Sequence, residues 1–172
     1  RTVERVSGVS GRLPLTRMKL PVQGLAIREA QPGDEERILD WICRLAKFEN
    51  LSGQVKATSE GIAKDFFSLQ LANALFALVD GKPAGFAVWY YNYSTFAGKK
   101  VLFLEDIFVD AAFRGKGVAT AIFTWLEKKA KETGCLRIEW HVLDWNTNAK
   151  SFYRSCGGSP NEGWEVYRKE LA

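Results

Sequence analysis

Positions 114 to 119 read RGKGVA and stand between an apolar run and an amphipathic one, in residue types suited to holding phosphate. The first amides of a helix lack intrahelical partners and carry the positive end of the dipole, so a helix opening here offers donors to a diphosphate. Gly115 and Gly117 let the backbone come close, Arg114 and Lys116 add charge, and Ala119 is small enough for tight approach. Thr120 occupies the third glycine position of a GxGxxG fingerprint, and no GxxxxGKS/T occurs, so what remains is R-x-x-G-x-A. An ordinary glycine-containing loop is the alternative. Upstream, Glu105 and Asp106 interrupt the apolar VLFLEDIFV; on a regular strand they point to opposite faces and form no acid/base dyad. His141, the only histidine, shares a strand face with Glu139 while Trp140 takes the other. Asn146, at a strand end before a helix, can cap the backbone or bond a ligand's amides.

The elements that must position these groups follow from periodicity. LAIREA (25 to 30) alternates and is followed by Pro32 and Gly33, the pattern of an edge strand and a turn. Asp34 can cap a helix whose apolar face is Ile38, Trp41, Ile42, Leu45 and Phe48, and a second helix from Thr58 or Ser59 presents Ile62, Phe66 and Leu69. Residues 74 to 79 and 84 to 93 form a hairpin around Asp80 to Pro83, and Gly98 closes the next turn. A strand over 101 to 109, a helix over 116 to 132, a strand over 136 to 143, a helix over 148 to 156 and a last strand near 164 to 170 complete the order. Antiparallel strands followed by alternating strands and helices make an α/β (α+β) class with a mixed sheet and helices on its faces.

One domain is the default for 172 residues, and 47% hydrophobic with 26% charged residues describes a globular chain. No apolar run reaches the roughly 18 to 20 residues that cross a bilayer, so no membrane role is expected. The formal charge of +4 sits in the first 24 residues, where Arg1, Arg5, Arg12, Arg17 and Lys19 face only Glu4. The neutral body has no electrostatic footprint for nucleic acid. The Arg-rich, acid-poor stretch resembles a transit peptide or upstream sequence, so residues 1 to 22 are set aside as a tail and 23 to 172 are read as the domain. Cys43, Cys135 and Cys156 fit neither a disulfide framework nor a CxxC site, which points to a reducing, cytoplasmic setting; no ligand cluster for a metal is present.

The segment EDIFV, Arg114 to Ala119 and the amphipathic helix after them together resemble the acetyl-CoA loop of GNAT acetyltransferases. FLEDIFV (103 to 109), VLDWNTNAKSFY (142 to 153), LAKFENLSGQV (45 to 55), YYNYSTFAGKK (90 to 100) and EGW (162 to 164) look like the diamine acetyltransferase subfamily. VLDWN and YSTF are most similar to its thialysine acetyltransferase branch. The resemblance covers about residues 25 to 170 and implies a sheet of about six to seven strands, splayed at the cofactor site.

It also implies roles. Ile107, Phe108 and Val109 would pair with the pantetheine arm, and Gly115, Lys116, Gly117, Val118, Ala119 and Thr120 would meet the pyrophosphate, with Asn146, Thr147, Asn148 and Ala149 as further cofactor contacts. Tyr153 matches the catalytic tyrosine that protonates the departing thiolate, a transfer open to a phenol of pKa about 10 facing a thiolate of about 8.5. Glu105 matches the position that holds the substrate amine; an alkylammonium of pKa about 10.4 must lose a proton before attack, and a carboxylate can take it directly or through water. Phe48, Glu49, Glu139, Trp140 and His141 match the substrate channel, Glu49 suiting the far cationic end of a diamine. A solvated helix-end charge is the alternative for Glu49, and strand packing for 139 to 141. The expected activity is acetyl transfer from acetyl-CoA to a primary amine of a polyamine, diamine or lysine-like metabolite, by a homodimer. Acetylation of a protein or peptide amine, and a non-catalytic CoA-binding module, are the competing readings.

Overall fold

The computed structural model describes residues 23–171, and the tail over 1 to 22 lies outside them. Five strands, β1 (Leu25–Glu29), β2 (Asn73–Val79), β3 (Lys82–Ser94), β4 (Lys99–Val109) and β5 (Ile138–Trp140), form one sheet in the order β1-β2-β3-β4-β5. Neighbours are antiparallel except β4 and β5, which run parallel across the crossover helix α3 (Val118–Glu132). α1 (Glu35–Phe48) and α2 (Ser59–Ile62) precede β2, and α4 (Thr147–Ser155) follows β5.

Each face of the sheet is apolar because its strands are buried on both sides. Trp41 and Ile38 of α1 and Ile62 of α2 pack on Phe76, Phe86 and Val88. On the opposite face Val118, Ile122, Phe123 and Leu126 of α3, with Tyr153 of α4, pack on Leu75, Ala87, Trp89, Leu102 and Leu104. Strand alternation sends residues of β2 and β3 to one layer or the other, which is why both hairpin segments read as continuous apolar runs.

Several expectations need correction. The sheet has five strands among the described residues, against six to seven expected. Residues 164 to 170 join no strand, and Trp164 (75%), Val166 (73%) and Tyr167 (87%) stand in solvent; alternation alone supplies no pairing partner. The strand over 136 to 143 shrinks to Ile138–Trp140, matched only to Leu102–Leu104. α2 widens into a π-helical turn over Ala63–Ser68, which rotates Leu69 out to 53% exposure while Ile62 stays buried and Phe66 half-buried against the core. Asp34 precedes α1 but makes no side-chain cap bond; its carboxylate receives Arg28 at 2.7 and 2.8 Å and the Gln31 amide at 3.0 Å. Those donors hold Asp34 down to a pKa of about 2. Thr58 does cap, accepting from Gly61 N at 3.1 Å.

Candidate active site

β4 carries the break on which the site depends. Val88 pairs with Asp106 but Trp89 pairs with Leu104, so Glu105 is an extra residue, a β-bulge. Leu104 packs on the α3 face, whereas Val88, opposite Asp106, packs on the α1 face. The alternation that was expected to separate Glu105 from Asp106 therefore fails at this point. The two carboxylates lie close enough that Glu105, after burial, is the next cause of the Asp106 pKa being pushed up to about 7, with Glu49 at the end of α1 the third. Glu105 is exposed, Asp106 is half-buried, and no hydrogen bond reaches the Asp106 carboxylate among the described residues. Burial also raises the Glu49 pKa.

Tyr153 of α4 closes this cluster from the other layer. It is 8% exposed, its ring lies 4.8 Å from Trp140 and 6.2 Å from Phe123, and burial pushes its pKa up to about 12, with Cys156, Asp106 and Glu49 adding to the rise. The phenol thus stays protonated at neutral pH and shares its surroundings with the carboxylates. Trp140 packs at a tilt on Tyr153 and meets Phe123 edge-on at 5.4 Å. Gly158 makes that packing possible, since a Cβ there would stand 2.7 Å from Trp140 Cζ2.

The glycine-bearing loop leads from β4 into α3. Gly115 (φ 72°) and Gly117 (φ 89°) are left-handed, and Gly117 opens α3 without a side-chain cap. Backbone of this kind turns successive amides inward. None of the amides from Gly115 through Thr120 has a hydrogen-bond partner among the described residues, so this run of donors is available for an anion. A cleft of about 160 Å³ lies against it, lined by Val109, Phe113, Arg114, Gly115, Gly117, Val118, Ala119, Thr120 and Phe152. Beyond Leu104 the ladder to β5 ends, and among the described residues no strand lies beside this edge of β4 over Ile107, Phe108 and Val109. Amides in a run at a helix start beside an open strand edge fit a diphosphate joined to an amide-bearing arm.

Arg114 lines this cleft, and both cations of the loop also bond backbone carbonyls. Arg114 Nε donates to Val109 O at 3.0 Å, and its guanidinium lies 4.6 Å from the Phe48 ring and 5.3 Å from Phe108. Lys116 Nζ donates to Ala112 O at 2.8 Å. Phe48 is thereby joined to β4, packing on Phe108 at 5.7 Å, and it also meets Trp145 at 6.2 Å. Asn146 acts as a cap, accepting from Ala149 N at 3.0 Å, while Thr147, Asn148 and Ala149 form the first turn of α4. Glu139 is bound to Arg137 at 2.6 Å, and His141 meets Phe103 edge-on at 5.0 Å. Sequence reasoning missed Asp106, Trp145, Gly158 and Tyr90, whose phenol is raised by burial and by Glu105. Only the aromatic-rich YYNY and VLDWN segments hinted at two of them.

Residues 37–158 match the Acetyltransferase (GNAT) family. A thialysine N-epsilon-acetyltransferase of Bos taurus is 35% identical over 158 residues, covering 84% of this chain and 91% of the relative. The Caenorhabditis elegans thialysine N-epsilon-acetyltransferase is 33% identical, covering 82% and 89%. Among solved structures, an aminoglycoside acetyltransferase from an uncultured soil metagenomic sample superposes with a TM-score of 0.74 at 17% identity over 87% of this chain and 97% of that one, a likeness of fold. A family match across most of the chain, and relatives aligned over more than four-fifths of it, establish that this protein belongs to the GNAT acetyltransferases and is an N-acetyltransferase.

Proposed function

We propose that this protein transfers the acetyl group of acetyl-CoA to a primary amine of a small cationic metabolite, with thialysine-like amino acids, diamines and polyamines as the acceptor class. The observation that carries the reading is the meeting of three carboxylates, Glu49, Glu105 and Asp106, with a protonated Tyr153 beside a cleft lined by unpartnered amides. Relatives named for thialysine, for spermidine/spermine and for L-ornithine acetylation share that preference for amines on short cationic molecules.

The co-substrate, when bound, supplies a thioester carbon and a thiolate leaving group. The amides from Gly115 to Thr120 would hold its diphosphate, and the open edge of Ile107, Phe108 and Val109 its amide-bearing arm and the developing oxyanion. Glu105 and Glu49 receive the cationic acceptor, a carboxylate of the cluster takes a proton from its ammonium, and the neutral nitrogen attacks directly within the ternary complex. Tyr153 donates its proton to the sulfur and is reprotonated by the new amide nitrogen, so no covalent enzyme intermediate is needed. Phe48, Trp140 and His141 belong to the acceptor side, and Asn146 to Ala149 border the cofactor. No cluster able to hold a metal occurs among the described residues, and no metal enters this reading. A homodimer in a cytoplasmic setting completes it: the exposed Trp164, Val166 and Tyr167 are surface that a second copy could cover, and the three cysteines are free.

Thiol release from acetyl-CoA with S-aminoethylcysteine, spermidine, ornithine and a lysine peptide side by side tests the proposal. Turnover with one or more of the small amines is expected. Release only with the peptide, or with none of the four, would overturn it.

A further inference from the structure

The amides from Gly115 through Thr120 have no hydrogen-bond partners among the described residues, so the path of this segment is set at its two ends. The far end is anchored by Val118, which is buried in the α3 layer. The near end rests on Asp110, where β4 gives way to a 3₁₀ turn over Ala111–Phe113. Asp110 makes four bonds there. Its amide donates to Ala84 O of β3 at 3.0 Å, its carbonyl accepts from Phe113 N at 2.9 Å, and its Oδ1 accepts from Ala112 N at 2.8 Å. The fourth is long-range: Oδ2 accepts from Nη2 of Arg44, 66 residues earlier on α1.

Arg44 is itself held in place. Its guanidinium lies 4.1 Å from the centre of the Trp41 ring, and Trp41 is buried, stacked on Phe86 at 5.6 Å and edge-on to Phe108 at 6.0 Å. A stack on a fixed ring restrains the long side chain, so less rotamer freedom is lost when the ion pair closes. The pair is partly shielded, with 35% of the Arg44 side chain and 26% of the Asp110 side chain exposed, and a charge-assisted bond so placed holds its geometry better than one free in solvent. One helical turn on, Phe48 meets the Arg114 guanidinium at 4.6 Å, so the same face of α1 touches the segment at its entry and again beside the glycines. Neither Arg44 nor Asp110 lines the cleft.

We propose that the Arg44–Asp110 pair is a positioning device for the co-substrate: it fixes the angle at which the chain leaves β4 and thereby aims the Gly115 to Thr120 amides at the diphosphate. This deepens the acetyl-transfer reading and rests on it. Preorganised donors bind a phosphate without reordering, whereas donors on a segment with a loose end must be ordered by the ligand, and that ordering is subtracted from the affinity. The effect is confined to ligands that carry the diphosphate. An amide-bearing arm that meets the edge of β4 is held by the sheet and does not depend on Arg44.

The test compares coenzyme A with pantetheine by isothermal titration in the wild type, Arg44→Met, Arg44→Lys and Asp110→Asn. Arg44→Met keeps an apolar stem over Trp41 and removes the guanidinium; Asp110→Asn keeps an oxygen for Ala112 N and removes the charge. Each of these two should weaken coenzyme A binding by about tenfold and leave pantetheine binding within about twofold, while Arg44→Lys returns to within about threefold of the wild type. In turnover, KM for acetyl-CoA should rise by about the same factor, with kcat at saturating donor within about threefold. An unchanged ratio of the two affinities in either Arg44→Met or Asp110→Asn, or equal weakening of both ligands, overturns the positioning role and leaves acetyl transfer intact. A wild type that binds the two ligands equally overturns the acetyl-transfer reading and this inference together. If Arg44→Met does not fold, the ratio in Asp110→Asn decides alone.

Discussion

Replacing Asp106 by Asn should change how stability varies with pH. In the unfolded chain this carboxyl titrates near 3.8, whereas the fold moves it up to about 7 by burial and by the charges of Glu105 and Glu49. A carboxyl raised on folding contributes stability that is fully present below its unfolded pKa and is lost as the pH rises through its folded pKa. Between pH 5 and pH 8 that loss works out at about 2 to 3 kcal/mol for the wild type, and the amide variant does not incur it. For a chain of this size each kcal/mol moves Tm by about 2 to 4 °C, so Asp106→Asn should gain about 5 to 10 °C on the wild type over that interval. Thermal melts of both proteins at pH 5, 6, 7 and 8 measure the difference directly. The Glu49 titration occurs in both proteins and drops out of the comparison to first order. A Tm gap that stays constant from pH 5 to 8 would refute the placement of a raised, half-buried carboxyl behind the bulge.

Tyr153→Phe should lower kcat by about 10²- to 10⁴-fold with little change in acetyl-CoA affinity, read by thiol release and calorimetry; an unchanged rate would remove the phenol from the chemistry. Gly158→Ala places a Cβ 2.7 Å from Trp140 Cζ2 and should cost about 1 to 3 kcal/mol in denaturant unfolding, together with a fall in kcat because Trp140 supports Tyr153. Asp34→Ala should destabilise by about 1 to 2 kcal/mol at pH 7. Its carboxyl is lowered on folding to about 2, so that contribution is present above pH 4 and is lost as pH falls toward 2, and wild-type and variant stabilities should converge in acid.

How far the sequence could be read varied with the range of the interactions involved. Local signals were reliable: the α1 face of Ile38, Trp41, Ile42 and Leu45, the Asp80 turn and the glycine-bearing entry to α3 depend on neighbours a few residues away. The bulge at Glu105 was invisible because it is a property of how β4 registers against β3, decided by which of Val88 and Trp89 must face which layer. Reading VLFLEDIFV as regular therefore separated the two carboxylates and hid their nearness to each other. The helical period of Phe66 and Leu69 broke for a related reason: the turn after Ile62 widens, which no residue in AKDFFS announces. Tyr153 was legible as an apolar-face helix residue, but its tilted contact with Trp140 rests on the close passage of Gly158, set by the path of the chain after α4. Arg114 and Lys116 were read by charge alone, whereas their carbonyl and aromatic partners come from Val109, Phe48 and Ala112.

Isothermal titration with coenzyme A and, in parallel, with pantetheine reads the diphosphate contribution at the start of α3 most directly. With the Gly115 to Thr120 amides as its cradle, coenzyme A is expected to bind at least about hundredfold more tightly, since two or more charge-assisted hydrogen bonds are lost with the diphosphate. Equal affinity for the two ligands, or no binding heat with coenzyme A, would contradict acetyl transfer from this site.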